Sequence, residues 1–208
     1  MQVSRPATRG AARRSEILAE LVSLFLAEGF LAFSVEDLAL RLQCSKSTLY
    51  GIAPSKEQLI TAVVRAFFRE STQAIEARLA GESDPVRRIR AYLEAIAVGL
   101  APASPAFFAD LDMFGPAREI YAQNTAIAAR RVGDLVGAAE RSGRTLDAAF
   151  IGAVAGIVMQ SIQRGDMKAV TSLSDATAYR LLADLIVSGV TGSAGSAVDA
   201  DDRNGFNV

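Results

Sequence analysis

FSVEDLALRLQCSKSTLYGIAPSKEQLI, residues 33–60, opens three helices in quick succession. Ser34 is followed three positions later by Asp37, the spacing of a capping box with Asp in place of the usual Glu or Gln. Phe33 and Leu38 flank that cap at the separation of a hydrophobic staple. Val35, Leu38, Ala39 and Leu42 fall on one apolar face, and Gln43-Cys44 breaks the run ahead of Ser45, a second N-cap residue. The helix that Ser45 begins is very short. Leu49 is its one inward anchor, while Lys46, Ser47, Thr48 and Tyr50 face outward. Ser55 with Gln58 repeats the capping-box spacing and starts a long helix with Lys56 in its first turn.

A short helix that displays hydroxyls and an ammonium after a turn suits the major groove of DNA, where such groups reach phosphates and base edges. The N-terminus of the third helix adds free N–H groups and a cation for a phosphate. Capped helices with mixed polar faces also occur in globular domains that never meet DNA, so spacing alone leaves both readings open.

Residues 14–60 resemble the N-terminal domain of the TetR family of bacterial transcription regulators. The family pattern is an amphipathic first helix ending in Phe and a Gly-aromatic pair, a Ser or Thr cap, a Ser-Lys-x-Thr-Leu-Tyr recognition helix, and then Ser-Lys-Glu-x-Leu. Here it stands as Phe25, Gly29-Phe30, Ser34, Ser45-Lys46-Ser47-Thr48-Leu49-Tyr50 and Ser55-Lys56-Glu57-Gln58-Leu59. Gln43 replaces a usual turn glycine, at a position that favours positive φ. Cys44 replaces a usual Val, and Gly51-Ile52-Ala53 lacks the bulky residue and Phe that commonly close the recognition helix. The expected phosphate contacts are Ser34, Lys46, Tyr50 and Lys56, with Ser47 and Thr48 nearest the base edges and Ser45 in the same patch.

The chain has 208 residues, half of them apolar, and a net charge of −1. That length accommodates a small head and a larger core. The balance is not that of a protein that coats nucleic acid unspecifically. Arg5, Arg9, Arg13 and Arg14 cluster without an acid in residues 1–14, which reads as a flexible basic arm over residues 1–13 or as a solubilising tail. The polar N-terminus lacks the apolar segment of a secretory signal. The longest uncharged apolar run, Ala148 to Gln163, is short for a bilayer span. No membrane association is therefore expected, and the expected location is cytoplasmic. The single cysteine, Cys44, fits a reducing compartment and reads as a small apolar side chain rather than a thiol sensor.

Beyond the head the pattern is helical throughout, so the expected fold is all-α. A three-helix helix-turn-helix domain over residues 14–54 precedes a larger helical domain over 55–190 and a disordered tail from 191 to 208. Helices are expected from about Ser55 to Ala80, from Pro85 through Leu100, and from about Ala117 to Arg141 with a stop at Ser142-Gly143. Two more are expected from about Leu146 to Gly165 and from Ser174 to Gly189. Ser104-Pro105 signals a short segment that Gly115-Pro116 closes.

The TetR resemblance implies that the last two helices pair with their copies in a homodimer. Phe150, Gly152, Ala153, Gly156 and Ile157 are the expected interface on one, with Tyr179, Leu182 and Ile186 on the other. A two-fold dimer would present two heads to a palindromic double-stranded operator. The resemblance also implies a small-molecule effector among the middle helices. Phe67, Phe68, Tyr92, Phe107 and Phe108 are candidate lining residues, together with Met113, Phe114, Tyr121 and Asn124. Such a lining suits an apolar ligand held by few polar contacts, although aromatic residues at helical spacing also build ordinary cores.

No cofactor, metal site or catalytic residue is expected. Without histidine there is no Ser-His or Cys-His pair and no His-bearing metal site, and no phosphate-binding Gly-Lys-Ser/Thr loop is present. Asp110 and Asp112 are the closest carboxylate couple, and two residues apart on a helix they point in different directions. The expected function is a ligand-responsive transcriptional regulator, most simply a repressor released from its operator. The alternative is a dimeric helical ligand- or partner-binding protein whose head has drifted, at Gly51-Ile52-Ala53, away from strong DNA binding.

Overall fold

The computed structural model describes residues 5–139 and 147–191, and those residues form ten helices with no strand among them. The head comprises α1 (Arg5–Glu28), α2 (Val35–Arg41) and α3 (Lys46–Tyr50). The body comprises α4 (Lys56–Leu79), α5 (Pro85–Leu100), α6 (Pro105–Met113), α7 (Gly115–Ala139), α8 (Ala148–Gln163), α9 (Asp166–Thr171) and α10 (Asp175–Thr191).

Local chemistry sets most of these boundaries. Ser34 accepts from the Asp37 amide while the Asp37 carboxylate takes the Ser34 amide, so the capping box closes in both directions. Ser45 and Ser55 cap α3 and α4, and Asp84 and Ser104 cap α5 and α6, each with proline in the first turn. Gln43 takes φ of 48°, the left-handed turn that its position between α2 and α3 demands.

Several boundaries differ from the sequence reading. Helix α1 starts at Arg5, so helix occupies most of the segment expected to be a flexible arm. Alanine and arginine are strong helix formers, and Pro6 lies in the first turn, where its missing N–H costs nothing. Gly115-Pro116, expected to close α6, instead opens α7. Helix α9 went unforeseen, because six residues are too few to establish a period. Gly165 and Ser172, both left-handed, bound it. The expected stop at Ser142-Gly143 and the tail from residue 192 lie outside the described residues.

Two apolar clusters hold the chain together. The first joins the head to the body: Phe25, Phe30 and Leu49 share it with Val64 and Phe67 of α4, Phe107 of α6 and Tyr121 of α7. The second lies among α5, α7, α8 and α10, with Ile89, Val136, Met159 and Tyr179 inside it. Helices α7 and α8 approach most closely. A Cβ built on Gly152 would stand 2.6 Å from the Ala129 carbonyl oxygen, and one on Gly156 would stand 2.9 Å from the Ala129 Cβ. Among the described residues no single helix is long and apolar enough to cross a membrane.

Candidate nucleic-acid interface and effector chamber

The outer face of α3 displays Lys46, Ser47 and Tyr50, with Thr48 half-buried beside them and Leu49 anchored in the core. Ser45 accepts from the Thr48 amide and contacts the Ser47 and Thr48 hydroxyls, so a bonded cluster of three hydroxyls lines the start of the helix. Lys46 does not stand free, because its ammonium pairs with Glu36 of α2. Exposed pairs of this kind contribute only about 0–1 kcal/mol, so a phosphate can displace Glu36 at little cost.

Two expected phosphate contacts are otherwise engaged. The Ser34 hydroxyl is committed to the capping box. Lys56 is half-buried and donates to the Leu31 carbonyl at 2.9 Å, which fastens the α1–α2 turn to α4. A long side chain in the first turn of a packed helix finds a backbone acceptor before it finds solvent. Gly51 caps α3 with right-handed geometry and Ala53 is buried, so α3 terminates in order despite the missing Phe. Cys44 packs partly buried against the head cluster, and burial pushes its thiol upward, the behaviour of an inert apolar residue.

Acid should loosen this surface. The Ser34 hydroxyl and amide hold Asp37 below its ordinary value, and Lys46 does the same for Glu36. Each carboxylate therefore contributes stability that is fully present above its unfolded value and is lost as pH falls through the lowered folded one. Amide signals of α2 followed by NMR from about pH 5 to about pH 3 are expected to broaden across residues 34–41. An α2 that stays sharp throughout would contradict the capping role.

The head is clasped by α6. The Asp110 carboxylate accepts from the Phe30 amide and from the Leu31 amide at 2.8 Å, and the Ser104 amide donates to the Leu26 carbonyl at 2.7 Å. Gly29, at φ of 78°, leaves room for this, since a Cβ there would lie 2.6 Å from the Asp110 oxygen. Sequence reading dismissed Asp110 because it sought a carboxylate pair; its partner is a turn 80 positions away in sequence.

Behind the clasp, α4, α5, α7 and α8 line a half-open cavity of about 130 Å³. Of the candidate ligand residues, Phe68, Tyr92, Tyr121 and Asn124 line it. Phe67, Phe107, Phe108 and Phe114 do not. They pack at the junction of head and body, where Phe67 meets Phe107 edge-on and Phe30 meets both Phe107 and Phe114. Met113 is 77% exposed, at the last position of α6. Tertiary placement decides among aromatics that share a helical period, and the period cannot rank them.

The reading missed the polar rim of the cavity. Glu76 and Arg131 pair bidentately at 3.1 and 2.9 Å, bringing α4 to α7 across 55 positions of sequence. Deeper, the Tyr121 hydroxyl donates to Gln163, whose amide donates to the Tyr179 hydroxyl at 2.8 Å. Burial pushes the Tyr92 and Tyr121 hydroxyls up to about 12 and Tyr179 higher still, so all three remain neutral near pH 7.

Of the expected interface residues, Gly152 and Gly156 face α7 within the chain, and Tyr179, Leu182 and Ile186 are buried in the body core. Their small size or apolarity serves intrachain packing. Phe150, Ala153 and Ile157 face outward, with Phe150 63% and Ile157 69% exposed. Leu181 and Leu185 of α10 are exposed as well.

Residues 17–63 match the family described as "Bacterial regulatory proteins, tetR family". Over 57 residues the chain is 47% identical to the uncharacterized HTH-type transcriptional regulator YvaF of Bacillus subtilis, a match that spans 27% of this chain and 30% of that relative. The fold is similar to that of SCO4454, a TetR-family transcriptional regulator from Streptomyces coelicolor, with a TM-score of 0.63 and 19% identity over 91% of this chain and 97% of that one. A protein from Saccharomonospora viridis, solved in complex with choline, gives a TM-score of 0.70 and 16% identity over 85% of this chain and 96% of the other. AibR, solved with isovaleryl coenzyme A and operator DNA, gives 0.58 and 18% identity over 86% and 97%.

Proposed function

From the match of residues 17–63 to the TetR family of transcriptional regulators and the similar fold of the whole chain, we propose that it acts in the cytoplasm as a homodimeric repressor released from a palindromic operator when a small apolar molecule binds the body. The observation that carries this reading is the exposed face of α3, held by its own cap and by the buried Leu49 with Lys46, Ser47 and Tyr50 turned outward, as a major-groove reader needs. Structural neighbours bound to choline, and to isovaleryl coenzyme A with operator DNA, support a ligand-responsive body. Lys46 and Tyr50 then serve phosphates, and Ser47 and Thr48 lie nearest the bases.

The second subunit covers Phe150, Ala153 and Ile157 of α8 together with Leu181 and Leu185 of α10. Four large exposed apolar side chains on two neighbouring helices form the kind of patch that a monomer rarely leaves to water. Replacing Leu185, 70% exposed, with lysine is expected to shift sedimentation from dimer to monomer at micromolar concentration with the helical content unchanged. A Leu185→Lys protein that still sediments as a dimer would place the interface elsewhere.

Selection of bound duplexes from a randomised DNA pool tests the reading directly. An enriched palindrome whose affinity falls steeply with salt supports it. No enrichment by folded, dimeric protein would favour the drifted head, with Ala53 in place of an aromatic anchor as its cause.

A further inference from the structure

The wall of the cavity selects by charge. Phe68, Ile75, Ile96, Leu100 and Met159 make it chiefly apolar. Its two charged residues, Glu76 and Arg131, satisfy each other at the rim with two hydrogen bonds. That pair is partly exposed and little stabilising, so the selection lies deeper: an ionic ligand inside the apolar wall would lie without a counter-charge, which costs free energy. Most of the polar groups within are committed too. Thr72, Thr125 and Asn124 donate to carbonyls of their own helices, and Tyr121 donates to Gln163. Tyr92 differs: the residue is only 5% exposed and lines the cavity, and its hydroxyl, which makes no hydrogen bond to the described residues, stays accessible from the cavity. A phenolic hydroxyl open to the cavity can turn its proton to an acceptor that a guest supplies.

The volume bounds the part of a guest that lies inside. About 130 Å³ is close to the roughly 150 Å³ that accommodates a single benzene ring. We infer that the cavity takes a small uncharged ring compound of about phenol's size, whose oxygen accepts the Tyr92 hydroxyl proton while its ring rests on the apolar wall. This rests on the reading of the cavity as an effector site and adds the chemical class that the site admits. The remaining face of the guest lies near Glu76 and Arg131, where a hydroxyl proton of its own meets an acceptor without either charge being unpaired.

Titration calorimetry of the intact dimer with phenol, benzoate and benzylamine near pH 7 tests this, since the three probes share a ring and differ in charge. Phenol is expected to bind saturably, and the two ions roughly tenfold more weakly or not at all. Tyr92→Phe is expected to weaken phenol about fivefold, the loss of one neutral hydrogen bond. Benzoate or benzylamine binding as tightly as phenol, phenol failing to bind, or a folded Tyr92→Phe variant that binds phenol unchanged would each overturn the inference. If Tyr92→Phe folds poorly, the order of the three probes on the unaltered protein still decides. Operator release is scored separately. Phenol that binds without releasing operator leaves the cavity chemistry standing and removes its effector role, whereas release by a charged compound alone overturns the chemistry and keeps that role.

Discussion

Asp110→Ala is expected to lower stability by about 3 kcal/mol, because two backbone N–H groups lose a charged acceptor in a half-buried setting and each such bond contributes about 1.5–3 kcal/mol net of solvent. For a chain of this length that corresponds to a fall in Tm of roughly 10 °C. The loss has an address. The carboxylate holds the Phe30 and Leu31 amides, so hydrogen exchange should accelerate at those two positions ahead of the interior of α4. Asp110→Asn keeps one carbonyl acceptor for two donors and should fall between the two. Operator affinity should drop with stability, since α1 would lose its fixed angle to α6. Unchanged exchange at Phe30 and Leu31 would show that the carboxylate is not what holds the turn.

Gly152→Ala should reverse the usual sign of a glycine substitution. Alanine within a helix ordinarily stabilises by about 0.5–1 kcal/mol, because it restricts the unfolded chain. At Gly152 the new methyl would meet the Ala129 carbonyl oxygen at 2.6 Å and the Gly133 nitrogen at 3.2 Å, both backbone atoms of α7 that cannot swing aside. Separating α7 from α8 should cost about 2 kcal/mol for alanine and about 4 kcal/mol for valine, as overpacking does. Gly10→Ala in α1, with nothing within 4 Å, is the control and should stabilise slightly. Thermal melts of the three variants decide the matter, and a Gly152→Ala protein more stable than its parent would refute the close approach.

The same glycines mark where sequence stops informing. Gly152 and Gly156, four apart on an apolar helix, announce that another backbone comes near, but nothing in their spacing says whose. The resemblance assigned them to a second subunit, and the fold assigns them to α7. The caps fared better, since Ser34, Ser45 and Ser55 act on atoms two or three residues away and the chain carries that information locally. The Asp110 clasp and the Glu76–Arg131 rim join residues far apart in sequence, so neither periodicity nor capping could find them. Lys56 was legible as a cation at a helix start, and its acceptor on Leu31 was not. Among the candidate lining residues, Phe68, Tyr92, Tyr121 and Asn124 reach the cavity because α4, α5 and α7 turn those positions toward α8, a rotation fixed only by packing.

The shared apolar cluster, in which Phe30 rests edge-on against Phe107 at 6.0 Å and against Phe114 at 6.3 Å, bears on how the protein can be re-engineered. A chimera cut at residue 54, the natural seam by sequence, would strand a head with half its interior missing. Grafting this reader onto another sensor requires carrying α4, α6 and the start of α7 with it but not α5, so the transferable unit is discontinuous in sequence.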